Sequence, residues 1–299
     1  QTESSDRSEK VMPRSHMVAR LIVAAYVGIT ILGSLAFWWA GMGLFDAINH
    51  AMSAIATGGF STSDSSLGKW QEPAIHWVAI IVMVLGSLPF VLYVSTLRGN
   101  YRALFRDAQV RGFLVLLVGS WFVLAGWKWL TTDLYWLDAL RLVAVNITSI
   151  MTTTGFAVGD YHLWGPFASM MFFYLGFVGG CSGSTAGGLK IFRFQVAYIL
   201  LKANLRQLIH PRAVIKQQYN RHRLDEDIVR SILAFAFFYT ITIAGLALAV
   251  AMCGVDWITA LTGAAAMVSG VGPGMGEVVG PAGPTTSTST PAAASSARV

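Results

Sequence analysis

Three times along this chain a short apolar run stops at a stretch of glycine and threonine. Trp136–Met151 ends in Thr152-Thr153-Thr154-Gly155-Phe156-Ala157, the run from Leu44 ends in Thr57-Gly58-Gly59-Phe60-Ser61-Thr62, and the run from Asp256 ends in Ser269-Gly270-Val271-Gly272-Pro273-Gly274. A bilayer-spanning helix needs about 20 apolar residues, and none of the three runs reaches that length. Aligning them sets Gly59, Gly155 and Gly272 in register as a divergent internal repeat.

The rest of the chain says what these short runs sit among. Hydrophobic residues make up 55% of it and charged residues 12%, about half the charge of a soluble domain. Residues 21–40, 77–97 and 231–253 are long enough to span. Residues 112–127 fall short unless Lys128 snorkels to the surface and completes the span. The long segment 165–203 is interrupted by glycines. The reading is an all-α polytopic membrane protein of repeated membrane–pore–membrane units. Re-entrant half-helices and extended filter strands would surround a central ion pathway in the lipid bilayer.

Charge sets the orientation. Lys and Arg gather at 7–20, 98–111 and 193–230, whereas the other connections hold Lys69, Lys128 and Arg141 against Asp46, Asp64, Glu72, Asp133, Asp138, Asp160, Asp256 and Glu277. Basic segments stay in the cytoplasm, so all three short runs enter the membrane from outside. The formal net charge of +6 therefore reflects topology and not nucleic-acid binding.

The expected organisation follows in order. Residues 1–16 are a polar cytoplasmic loop, so the chain begins partway through a larger protein. Residues 17–97 are one repeat, its returning span kinked at Pro89. A cytoplasmic loop, 98–111, leads to a second repeat, 112–203, and a basic loop, 204–230, precedes the membrane and pore part of a last repeat, 231–280. Asp46 and Asp138 sit in first helical turns, where negative charge suits the dipole. Residues 281–299 are low in complexity and expected to be disordered. Cys181 and Cys253 lie in apolar surroundings and read as buried and unpaired. No spacing of metal ligands occurs, and no cofactor is called for.

A half-helix that ends at membrane depth aims its partial negative charge there, and a glycine–threonine strand beside it offers carbonyls and hydroxyls. Converging carbonyls can replace the water shell of a cation. Stripping that shell costs of order 20 kcal/mol in the idealised limit, so several strands must share one ion. No carboxylate lies in the three stretches, which argues against a divalent ion.

A second feature is Gly179-Gly180-Cys181-Ser182-Gly183-Ser184-Thr185-Ala186-Gly187-Gly188, followed by Leu189 and Lys190. Each helical glycine costs about 1 kcal/mol relative to alanine, so the helix should break. A break at membrane depth must line a cavity or be buried in protein. Gly180-Cys181-Ser182-Gly183 also fits the Gly-x-Ser-Gly of intramembrane serine proteases. That chemistry needs a histidine on another membrane helix, and none lies in 231–253. A phosphate-binding loop is excluded too, because Leu189 and Ile191 stand where Lys and Ser or Thr are required.

These motifs together resemble the membrane subunit of the Trk/Ktr/HKT potassium-transporter superfamily, TrkH-type proteins above all, over about residues 17–280. The resemblance implies four membrane–pore–membrane repeats, of which this chain holds the second, the third and most of the fourth. It lacks the first filter strand and the final inner helix. It implies a non-enzymatic role, potassium uptake across the bacterial inner membrane. Thr57, Gly58, Gly59, Thr153, Thr154, Gly155, Gly270, Val271 and Gly272 would form the filter. Gly179, Gly180, Ser182, Gly183, Gly187, Gly188 and Lys190 would form an intramembrane gate. It further implies a homodimer and a TrkA-like cytosolic nucleotide-binding regulatory subunit, for which 202–230 offers a docking surface. A sodium-conducting or ion-cotransporting member of the same superfamily is the alternative.

Overall fold

The computed structural model describes residues 5–210, 218–220, 222–224, 226–275 and 279–281. Eleven α-helices lie among them, and a long helix followed by a short one recurs three times. In unit one, α1 (Ser5–Trp39) leads to the short α2 (Leu44–Ile55), then to α3 (Pro73–Ser87) and α4 (Phe90–Leu97). A small helix, α5 (Ala103–Arg106), precedes unit two: α6 (Ala108–Thr131), the short α7 (Trp136–Met151), α8 (Pro166–Val178) and α9 (Ile191–Ile209). A two-stranded hairpin, β1 (Gln218–Tyr219) with β2 (His222–Arg223), leads to unit three: α10 (Glu226–Ala251) and the short α11 (Trp257–Ser269).

In every unit the outward helix packs along the short helix that follows it, α1 on α2, α6 on α7 and α10 on α11. His16–Trp39, Ala108–Thr131 and Glu226–Ala251 are each long and apolar enough to cross a membrane. Their outer faces expose Val23, Leu35, Val115, Phe122, Leu233 and Phe237, as lipid-facing surfaces do. Of the short helices, α7 is buried by protein over its inner half, while α2 and α11 bury one side and expose Phe45, Met52, Trp257 and Met267. In α7, Val143 through Met151 are all buried.

Several expectations change. The supposed loop at 1–16 is helical from Ser5, because Glu, Lys, Arg and Met extend a helix that the span has already nucleated. Residues 1–4 lie outside the described residues. Unit one's returning span begins at Pro73 and is broken, not merely kinked. Its halves meet at 95° across Leu88 and Pro89. Lys128 does not snorkel. It is buried, with its ammonium 4.0 Å from the centre of the Trp164 ring, where the π-face replaces part of its hydration. The segment 204–230 is no plain loop, since α9 runs to Ile209, the hairpin follows, and α10 starts at Glu226. Cys181 is buried as expected, but Cys253 is exposed near the end of α10. The tail reading, 281–299, lies outside the described residues from 282 onward.

Candidate functional site

The three short helices end alike. In α2 the N–H of Gly58 donates to Ser53 O (2.8 Å) and that of Thr57 to Ala54 O (3.2 Å). In α7 Thr154 donates to Ser149 O (2.8 Å) and Thr153 to Ile150 O (3.0 Å), and in α11 Val271 donates to Ala266 O (2.9 Å) and Gly270 to Met267 O (3.1 Å). This is the Schellman cap, which needs a left-handed residue just past the helix. Thr57 (φ 50°), Thr153 (φ 55°) and Gly270 (φ 73°) supply it. Glycine takes that conformation freely. A β-branched threonine is strained there by roughly 1–3 kcal/mol, and such strain clusters at functional positions.

The left-handed conformation returns two residues later, at Gly59 (φ 69°), Gly155 (φ 92°) and Gly272 (φ 95°), and not at Gly58, Thr154 or Val271 between them. Alternating the sign of φ turns successive carbonyls to one side, unlike the opposite faces of a β-strand. The nine expected filter residues thus form three equivalent strands.

The strands are seated edge to edge in chain order. A Cβ on Gly59 would be driven into the Thr154 carbonyl, and one on Gly155 into the Val271 carbonyl. At Gly272 a Cβ would meet nothing within 4 Å. The residues that follow behave in parallel. Phe156 is fully buried, its ring 5.6 Å from that of His50 in the preceding unit, whereas Phe60 is 80% exposed. One side of strand three and one side of strand one are therefore open.

Each strand is held from behind by a polar side chain of its own short helix. Asn146, fully buried in α7, accepts from Val158 N–H and donates to Val158 O, both at 3.0 Å. Thr262 does the same for Met275 with one hydroxyl, accepting at 3.0 Å and donating at 2.7 Å. His50 Nδ1 faces Asp46 O at 2.8 Å and so carries the proton. In the neutral ring Nε2 is then the acceptor for the Ser61 hydroxyl at 3.0 Å. At the outer ends, Asp46 accepts from the Thr62 hydroxyl (2.6 Å), and Asp138 pairs with Arg141 (3.0 Å). Asn146→Leu leaves two buried backbone groups without partners, at about 1–3 kcal/mol each. Thermal unfolding in detergent should move down by several degrees. An unchanged midpoint would mean that the strand is held by something else.

The glycine-rich loop 179–190 lies across the inner ends of all three short helices. The Thr185 hydroxyl donates to Ile55 O at 2.7 Å, Gly187 N–H to the Thr153 hydroxyl at 2.6 Å, and Gly188 N–H to Ser269 O at 2.7 Å. The loop's other side is set into the break of unit one, where Cys181 N–H donates to Ser87 O (2.9 Å) and Phe90 N–H to Gly183 O (3.0 Å). Its glycines are needed for closeness. A Cβ on Gly180 would stand 2.6 Å from the Ala186 Cβ, and Gly179, Gly183 and Gly188 have positive φ. Lys190 closes the loop in the left-handed region (φ 69°), its ammonium donating to Ala186 O. Ser182 and Gly183 are exposed. Among the described residues no group of His, Cys, Asp and Glu could hold a metal ion.

Sequence reasoning missed Asn146, Thr262 and Thr185. Only Asn146 carried a signal, a lone amide inside the apolar stretch of α7. His50, too, was no candidate, and it holds the strand that follows α2.

Comparison with known families decides the relationship. The family described as TrkH, cation transport protein, matches residues 1–290. This chain belongs to the TrkH family. It is 49% identical over 283 residues to the Trk system potassium uptake protein TrkI of Halomonas elongata, covering 94% of this chain and 57% of that protein. It is 31% identical to TrkH of Escherichia coli K12 over 278 residues, 91% of this chain and 57% of that one. The crystal structure of the potassium transporter TrkH from Vibrio parahaemolyticus superposes with a TM-score of 0.85 at 30% identity, over 90% of this chain and 58% of that one. The chain thus spans just over half the length of these relatives. TrkH-family membership makes it a multi-pass protein of the bacterial inner membrane, of a transport family and not an enzyme family.

Proposed function

We propose that this chain carries three filter strands and the gate of a potassium uptake protein. The observation behind this is the threefold recurrence of one backbone device. Three helix C-termini, each with about half a negative charge, end at strands whose alternate residues have positive φ. The oxygens on offer are carbonyls and threonine hydroxyls, which suit a monovalent ion. Thr57, Gly58, Gly59, Thr153, Thr154, Gly155, Gly270, Val271 and Gly272 are the filter. The open sides of Gly272 and Phe60 are the seat of a fourth strand, which the family resemblance also implies. The loop 179–190, bonded to all three half-helices, is the gate, with Lys190 closing it. The homodimer and the TrkA-like cytosolic nucleotide-binding subunit belong to the same proposal.

The test is growth of potassium-starved cells that lack their own uptake systems. They would express this chain alone, or this chain completed with the flanking segments of the TrkI relative. Rescue by the completed protein is expected, with rubidium uptake that excess potassium, and not sodium, suppresses. Suppression by sodium would favour the sodium-conducting alternative. No rescue, with insertion verified, would count against the function.

A further inference from the structure

The cytoplasmic hairpin is wired to the loop 179–190 through a chain of side chains. Asn220, at the hairpin tip, holds a left-handed conformation (φ 47°) that suits a two-residue turn. Its Oδ1 accepts from Ala108 N–H at 3.1 Å, and its Nδ2 donates to Asp107 Oδ2 at 3.2 Å. Asp107 in turn caps α6, its Oδ1 accepting from Gln109 N–H (2.8 Å) and Val110 N–H (3.3 Å). Two side chains thus satisfy three successive amides at the start of α6, groups that a helix leaves without internal partners. The next side chain in line, Gln109, reaches the loop itself, since its Oε1 accepts from Ser182 N–H at 2.8 Å.

A second connection runs in parallel. The Tyr219 hydroxyl donates to Gln195 Oε1 at 2.6 Å, and Gln195 Nε2 donates to Ala108 O at 2.8 Å. Tyr219 also lies edge-on to Phe192, ring centres 5.0 Å apart, in the first turn of α9, which the loop feeds. Burial pushes the Tyr219 phenol up, so it stays a donor. Both connections meet at residues 107–109 and reach the loop from its two ends. Neither touches the filter strands.

We infer that the β1–β2 hairpin is a handle on the loop 179–190, and that Gln109 is the positioning residue that transmits its state to Ser182. With Asn220 docked on Asp107, the start of α6 is fixed, Gln109 is aimed at Ser182, and the loop is held shut. Drawing the hairpin away frees the start of α6 and releases Ser182. This rests on the proposed gating role of the loop, but its test does not depend on transport.

Cys181, buried next to Ser182, is a built-in reporter. In a Cys253→Ser background, Cys181 labelling by a membrane-impermeant thiosulfonate reads whether the loop is open. Gln109→Leu should speed labelling about fivefold, the shift that losing one net hydrogen bond gives, and Asn220→Ala, which gives up two, should speed it at least as much. Gln109→Glu, which keeps an acceptor for Ser182, should label at the parent rate. Equal rates in all variants overturn the inference. Faster labelling in Gln109→Leu with no change in Asn220→Ala removes the hairpin from the chain of transmission. Faster labelling without any change in rubidium flux leaves the coupling standing and overturns the gating role.

Discussion

Replacing Gly155 with serine should lower discrimination between potassium and sodium at least tenfold. Two physical costs meet at this position. Its φ of 92° is one that side-chain-bearing residues adopt at about 1–3 kcal/mol. Its Cβ would be forced into the Val271 carbonyl and would lie 3.2 Å from Pro273 Cδ. The oxygen that must give way belongs to the neighbouring strand, so one substitution disturbs two strands. Gly272→Ala is the control. Its φ of 95° carries the same backbone cost, but its Cβ meets nothing within 4 Å, so Gly272→Ala should cost this chain less thermal stability than Gly155→Ser. Rubidium uptake competed with sodium in the completed protein measures discrimination, and thermal unfolding of this chain measures the control. Equal losses of thermal stability would show that backbone strain, and not the contact between strands, is what the substitution at Gly155 costs. No effect from Gly155→Ser would remove it from the filter.

Gly187→Ala should raise flux by about 30-fold. Gly187 does not use positive φ; its need is closeness. A Cβ there would be driven into the Ser269 carbonyl and would sit 3.3 Å from the Thr153 hydroxyl. Both oxygens are the loop's own acceptors, for Gly188 and Gly187 respectively. Losing two hydrogen bonds at about 1 kcal/mol each gives a population shift of that size. Flux at the parent level in a folded, inserted variant would make the loop a packing element and not a gate.

Much of this was legible in the sequence because the governing signals are local. Length and apolar content mark the spans, and the glycine–threonine stretches mark where each short helix stops. The register Gly59–Gly155–Gly272 survives as a shared backbone conformation. What stayed hidden depends on the third dimension. A proline announces a kink, but the 95° break at Leu88 and Pro89 arises because freed carbonyls find partners in a loop almost a hundred residues later. Lys128 near a helix end suggested snorkelling until Trp164 folded over it. Thr185 looked like one more small residue, and its acceptors lie 130 and 99 residues away. The small hairpin at 218–223 was invisible for a plainer reason. Its strands are two residues long, too short for any periodicity.

The break in unit one has a consequence for how the molecule is made. By parting at Leu88 and Pro89, the helix turns the Gly86 and Ser87 carbonyls outward as acceptors, and Thr185 and Cys181 of the glycine loop fill them. A Cβ on Gly86 would stand 2.8 Å from Ile55 O, so the broken end is itself pressed against α2 before the loop arrives. Unit one is thus a mould and the loop its casting. Chains emerge from synthesis N-terminus first and fold in that order. The acceptors for Cys181 and Thr185 are therefore in place when the loop is made, and Gly188 N–H finds its own acceptor, Ser269 O, when unit three follows.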